Sequence, residues 1–165
     1  MTSFTTDIPI SPRAKLVGHA SLGVTSFAAA STFYKAVIST IGGICVFEDA
    51  KKGTLGFALS SRPDQEALNI FTRDKAAAAG EGVHLALDAP NRSAVRAFWE
   101  AAMANGGTDE GKWGLRKHYG DNYYAAFVRD PDGNKLEVVY QQEDAEADEA
   151  VALRQRILVD MVSLL

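Results

Sequence analysis

From Leu16 to Gln141 the chain alternates apolar and polar residues in short runs, shifts to a helical period, alternates again, and then repeats the whole series. In the first run, about Leu16 to Val24, Ala20, Leu22 and Val24 share one face of a strand, and His19, Ser21 and Gly23 share the other. Thr25-Ser26 are plausible caps for a helix reaching about Ile41, with Ala30, Phe33, Val37 and Ile41 at helical spacing. Gly42-Gly43 stop it. Strands follow at about Ile44–Glu48, Thr54–Leu59 and Ala67–Thr72. The second series begins with a strand at Val83–Leu87 and a helix at about Asn91–Asn105. A weak strand pattern within Thr108–Trp113 comes next, then strands at Tyr123–Arg129 and Lys135–Gln141.

Residues recur as well as patterns. Phe33-Tyr34 lies as far beyond His19 as Phe98-Trp99 beyond His84, and both helical runs end in Gly-Gly. "EALNIFT" (Glu66 to Thr72) aligns with "NKLEVVY" (Asn134 to Tyr140), which pairs Leu68 with Leu136 and Asn69 with Glu137. A two-copy unit of this length is too long and too few for a solenoid, and one copy alone would have a marginal core. The expected fold is therefore α+β: two paired βαβββ modules forming a curved eight-stranded mixed sheet with helices outside. Module one spans 15–73 and module two 82–142, within a domain over 1–142.

Four polar residues break the apolar pattern at repeat-equivalent positions. Glu137 lies opposite Leu136 and Val138, Asn69 opposite Leu68 and Ile70, and both His19 and His84 oppose apolar neighbours. A pseudo-twofold between the copies would gather these side chains on the inner face of the curve.

Bulk properties narrow the classes. With 165 residues, 47% hydrophobic content and a formal charge of −4, the chain suits a globular domain and gives no basic face for nucleic acid. No apolar run has the roughly 20 residues of a membrane span. Residues 1–13 lack the apolar core of a signal peptide, so a cytoplasmic location is expected. The single Cys45 leaves no internal disulfide and no cysteine metal cluster, and reads as strand packing. Residues 143–165 begin acidic and carry an apolar stripe of Leu153, Ile157, Met161 and Leu165. That pattern predicts a C-terminal amphipathic helix covering the domain or a second subunit rather than a membrane surface.

The strand His followed by "STFYKAVISTIGG", the second "HLAL…AVRAFWEAAMANGG", and above all "YYAAFVRDPDGNKLEVV" resemble the vicinal oxygen chelate superfamily, the glyoxalase, bleomycin-resistance and extradiol dioxygenase group. The resemblance covers about Leu16 to Gln141 and implies paired βαβββ modules, usually in a homodimer. It further implies that His19, His84 and Glu137 ligate a divalent ion, Zn, Ni, Mn or Fe, with Glu137 also the catalytic carboxylate. The family's fourth position, often Glu in glyoxalases, is Asn69 here, a neutral amide that cannot act as a base. Two His and one carboxylate suit an ion with positions open to a bidentate oxygen substrate. The implied function is a metal-dependent lyase, isomerase or dioxygenase for a small oxygenated molecule. The alternative is a metal-free small-molecule binder of the bleomycin-resistance type, with a pocket lined by Phe71, Trp113 and Tyr123. Arg116 and Lys117 are candidates for an anionic substrate group, Arg being the better fork for a carboxylate. His118 reads as a substrate-contacting or surface residue. Tyr123 and Tyr124 alternate, so only one of them faces the cavity.

Overall fold

The computed structural model of the protein describes residues 17–143. The stripe Leu153, Ile157, Met161 and Leu165 of the expected C-terminal helix lies outside them. The element order is β1 (Ala20–Val24), α1 (Phe27–Ser39), β2 (Gly43–Asp49), β3 (Thr54–Leu59), β4 (Leu68–Thr72), β5 (Leu85–Asp88), α2 (Arg92–Ala104), β6 (Thr108–Leu115), β7 (Tyr124–Arg129) and β8 (Lys135–Tyr140). This is the βαβββ unit twice. The eight strands form two four-stranded mixed sheets, ordered β1-β4-β3-β2 and β5-β8-β7-β6. In each sheet the first and last strands run parallel and the other pairs antiparallel.

The repeat holds at the level of register. Ala20 faces Leu68 and Ser21 faces Asn69 in the first sheet; Leu85 faces Leu136 and Ala86 faces Glu137 in the second. His19 and His84 each sit one residue before these registers begin, so the predicted pairing of His19 with His84 and of Asn69 with Glu137 follows from the backbone.

Each helix forms where its cap and apolar spacing coincide. Ser26 Oγ accepts from the Ala29 N–H at 3.3 Å, and Asn91 Oδ1 accepts from the Ala94 N–H at 2.7 Å. The buried face of α1 is Ala30, Phe33, Tyr34, Val37 and Ile38; that of α2 is Ala94, Val95, Phe98 and Ala102. Helix α1 packs on β2, β3 and β4, helix α2 packs on β6, β7 and β8, and the helices pack on each other. One core cluster therefore runs through both modules, including Leu55, Phe57 and Ile70 in the first and Val128, Leu136 and Val138 in the second. Sharing it lets two units that are marginal alone bury a common core.

The matched Gly-Gly pairs divide their work. The first glycine of each pair is left-handed, Gly42 at φ 81° and Gly106 at φ 88°. The second is small because something lies against it. A Cβ on Gly43 would collide with Ile38. One on Gly107 would stand 2.8 Å from Ala102 O, 2.9 Å from the Phe33 ring and 3.0 Å from Arg129 O. Two of those neighbours are backbone carbonyls and cannot swing aside. Gly107→Ala is expected to cost about 1–3 kcal/mol by overpacking. In urea unfolding this appears as a lowered midpoint with an unchanged slope, and an unshifted midpoint would contradict the packing.

The weakly patterned segment is a full strand, β6. Its pairing with β7 is irregular between Asp109 and Gly111 and again between Gly111 and Gly114. Each irregularity changes which face the following residues take, which removes a clean period of two from the sequence.

The turn Asp130–Asn134 joins β7 to β8 and also clasps the two modules. Asp130, 2% exposed, accepts from Tyr34 Oη at 2.6 Å and from Asn134 Nδ2 at 2.8 Å. Asn134 Nδ2 also reaches Gly23 O at 3.0 Å, and Asp132 Oδ1 accepts from the Thr25 N–H and hydroxyl at 2.8 and 2.5 Å. Burial, then the neighbouring Asp130 carboxylate, pushes the Tyr34 phenol well above its ordinary value.

Candidate functional site

Strand β8 turns Leu136 and Val138 into the core under α2 and Glu137 to the opposite face. Glu137 is 2% exposed, so it is no surface carboxylate. A buried carboxylate needs partners for both oxygens, and both have one. Tyr123 Oη donates to Oε1 at 2.5 Å, and His84 Nε2 stands 3.0 Å from Oε2. Ala86, directly across the parallel ladder from Glu137, is small and leaves room for the imidazole of His84 on the same face. The His84 side chain is 40% exposed, which puts the carboxylate at the bottom of the arrangement and the imidazole at its rim.

The 3.0 Å separation supports two chemical states. With a proton on Nε2 it is a hydrogen bond. With Nε2 unprotonated, nitrogen and oxygen are two donors facing one point. Ligands about 2.0–2.2 Å from a common ion at right angles stand on the order of 3 Å apart, so the pair fits two adjacent positions around a divalent metal. Tyr123 holds Glu137 from the other side. Burial, then the hydrogen bond to Glu137, pushes its phenol up to about 12, so it remains a donor at neutral pH.

Around this pair lies a hollow. Phe127, the ladder partner of Glu137, meets the His84 ring edge-on at 6.1 Å between centroids. The Arg116 guanidinium and the Lys135 ammonium lie 5.8 and 5.3 Å from the Phe127 ring centre. The rings of His118 and Tyr119 are 4.1 Å apart and those of Tyr119 and Tyr123 are 5.1 Å apart, an aromatic path from the surface to Glu137. Glu110 accepts from Arg129 Nε at 2.7 Å and from Lys135 Nζ at 3.3 Å, and these cations, Arg129 foremost, hold its carboxyl below the usual range.

Module two thus gathers His84, Glu137, Tyr123, Arg116 and His118. Three other predicted residues sit in module one. His19 is exposed just before β1, Asn69 is half-buried opposite Ser21 and Gly56, and Phe71 lies under the Arg73 guanidinium at 5.0 Å. Among the described residues no three His, Cys, Asp or Glu side chains form a group able to hold a metal ion, so His19 does not join His84 and Glu137 within these residues. Trp113 is also apart: it packs on the core with the Arg96 guanidinium of α2 at 4.9 Å from its ring. Lys117 is exposed.

Sequence reasoning missed Lys135, Phe127, Glu110 and, in module one, Glu66, whose carboxylate folds into the space left by the absent side chain of Gly56. The signal was available for two of them: Lys135 and Glu137 share a face by period two, and Phe127 is the ladder partner of Glu137.

The model of the Glyoxalase/Bleomycin resistance protein/Dioxygenase superfamily matches residues 16–138. Among solved structures, a glyoxalase/bleomycin resistance protein from Albidiferax ferrireducens T118 is 27% identical with a TM-score of 0.65, and the match covers 78% of this chain and all of that one. A glyoxalase-related enzyme from Fulvimarina pelagi is 20% identical with a TM-score of 0.56, covering 76% of this chain and 88% of its own. A glyoxalase/dioxygenase from Nostoc punctiforme is 18% identical with a TM-score of 0.57, covering 84% and 100%. The last two likenesses speak for the fold alone. No curated protein matches the chain. No helix among the described residues is long and apolar enough to cross a membrane.

Proposed function

Because the chain belongs to the Glyoxalase/Bleomycin resistance protein/Dioxygenase superfamily, we propose that it is a metal-dependent enzyme acting on a small oxygenated substrate, in the cytoplasm and as a homodimer. The observation that carries this reading is the buried Glu137 carboxylate with His84 Nε2 at 3.0 Å, on a face of β8 turned away from the core. His84 and Glu137 would hold the ion. The register makes His19 the counterpart of His84 and Asn69 that of Glu137. Because His19 does not join His84 and Glu137 among the described residues, it would reach the ion as third donor from a second copy of the chain, with Asn69 bordering the same site. A bound divalent ion supplies Lewis acidity that polarises adjacent substrate oxygens and stabilises enediolate-type charge.

The chain's own residues do the rest. Tyr123, protonated, fixes Glu137 Oε1 and so directs Oε2 toward His84 and the hollow. Oε2 is the atom at which Glu137 would take a proton from a bound substrate. Asn69, a neutral amide, offers no second base, which favours chemistry needing a single carboxylate. Phe127 and Tyr119 supply apolar walls.

One observation favours the rival reading, a metal-free binder. Tyr123 and His84 already give both Glu137 oxygens a partner, so the site is satisfied as a hydrogen-bonding pocket. Metal analysis of the purified protein, with thermal unfolding in Zn²⁺, Ni²⁺, Mn²⁺ and Fe²⁺, separates the two. An ion at 100 times its Kd stabilises the folded state by about 2.7 kcal/mol. A selective rise with one or two of these ions is expected, with light scattering giving twice the chain mass. A protein indifferent to all four belongs to the binding class.

A further inference from the structure

We propose that Arg116 and Lys135 form a two-point subsite for an anionic group, a carboxylate or a phosphoryl, on the molecule whose oxygens meet His84 and Glu137. The inference rests on the reading of that face as a substrate site and adds the charge class of the substrate.

The placement of Arg116 is built into the backbone. Its guanidinium folds back over β6, with Nη2 donating to Lys112 O at 2.7 Å. It lies where two strand residues lack side chains: a Cβ on Gly111 would stand 3.3 Å from Nη2, and one on Gly114 would stand 3.5 Å from Nη1. Gly111 and Gly114 face Phe127 and Ala125 across the ladder, on the same side of the sheet as Glu137. With no side chain at Gly111 or Gly114, the Arg116 guanidinium lies close against β6 and comes to 5.8 Å from the Phe127 ring centre. Of its five N–H donors, the Nη2 donor to Lys112 O is satisfied, and no other acceptor among the described residues takes the rest.

Lys135 approaches the same ring. Its ammonium shares Glu110 with Arg129, and the two contacts are unequal, 3.3 Å for Lys135 against 2.7 Å for Arg129. Glu110 can therefore release Lys135 to an incoming anion and keep its shorter partner. At the wall of the hollow Arg116 and Lys135 stand beside one carboxylate, Glu110, with the buried Glu137 beneath them and Asp109 acting on Arg116 from β6. A guanidinium gives a planar fork and an ammonium a mobile point charge, a combination that accepts either a carboxylate or a phosphoryl group.

The test is titration with inorganic phosphate and, separately, malonate, in EDTA, against sodium chloride of matched ionic strength, read by thermal unfolding and calorimetry. The wild type should bind at least one of the two anions beyond the salt control, and the stronger of them assigns phosphoryl or carboxylate. Arg116→Gln and Lys135→Met should each weaken binding about tenfold, the worth of one charge-assisted hydrogen bond. Glu110→Gln should strengthen it, because Lys135 loses its competing partner. Lys51→Met, at an exposed residue of the turn between β2 and β3 in module one, should change nothing. Arg116→Lys keeps the charge without the fork and should fall between wild type and Arg116→Gln, a control that does not depend on the larger change folding. The inference is overturned by anion binding no better than the salt control, or by binding that survives in the Arg116→Gln/Lys135→Met double variant. Chelation keeps this test apart from the metal reading. A metal response without an anion response removes only the subsite, whereas an anion response without a metal response keeps the subsite and assigns it to a binding protein.

Discussion

Glu137→Gln is expected to abolish metal-dependent stabilisation, while Asn69→Ala leaves most of it. Glutamine keeps the length of the side chain and an oxygen for Tyr123, so the pocket can still close. It loses the negative charge that makes Oε2 a ligand and a base, and divalent ions of this kind take carboxylate or imidazole donors rather than amides. The whole metal-linked gain, about 2.7 kcal/mol at 100 times the Kd, should vanish. Each variant is compared with itself in EDTA, so any intrinsic cost of the substitution cancels. Protein concentration is held fixed, because a dimer's apparent stability depends on it. Asn69 is neutral and sits in the other module, opposite Ser21 and Gly56, so its truncation should shift affinity little. A Glu137→Gln protein that responds to metal like the wild type would place the ion elsewhere and remove Glu137 from the chemistry.

The parts of this site that could be read from the chain share one property: they depend only on backbone periodicity. Alternation placed Glu137 opposite Leu136 and Val138, and the repeat put His84 at the head of the neighbouring strand. Register then brought the two side chains within reach, as the ladder Leu85–Leu136 and Ala86–Glu137 shows. What escaped depends on irregular backbone or on long side chains. The irregular pairing in β6 hid a strand from a period-two reading and, with it, the path of Arg116 over Gly111 and Gly114. Trp113 looked like a cavity aromatic, yet the same irregularity leaves it beside Arg96 of α2. The eight strands read as one curved sheet are hydrogen-bonded as two sheets of four. A strand pattern reports which side of a ladder is apolar, not where the ladder stops. His19 marks another boundary: its equivalence to His84 is a property of one chain, but whether the two imidazoles meet depends on assembly, which alternation does not encode.

The same distinction sets the last expected result. The Asp130–Asn134 turn belongs to the stretch that carried the resemblance in the sequence, and its contacts are those of a clasp between modules. Asp130→Ala should destabilise the protein by about 3–5 kcal/mol, because it strands several buried donors at once and each unsatisfied group costs about 1–3 kcal/mol. Those donors are Tyr34 Oη, Asn134 Nδ2 and the Asn134 N–H, at 2.6, 2.8 and 2.8 Å, together with the Asp132 N–H at 3.0 Å. Tyr34→Phe removes one donor and leaves Asp130 with the others, so about 1–2 kcal/mol is expected. The two can be told apart by pH. The unfolded Tyr34 phenol ionises near 10, while the folded one is held well above its ordinary value by burial and by Asp130. The folded state therefore binds its proton more tightly. The stability this contributes is complete below about pH 10 and is lost as pH rises from there through the folded value. Urea unfolding of wild type should show a midpoint that falls above pH 10, and Tyr34→Phe should flatten that fall while starting from a lower midpoint at neutral pH. If Asp130→Ala costs less than Tyr34→Phe, or if Tyr34→Phe keeps the full alkaline loss, the turn is not what holds the modules together.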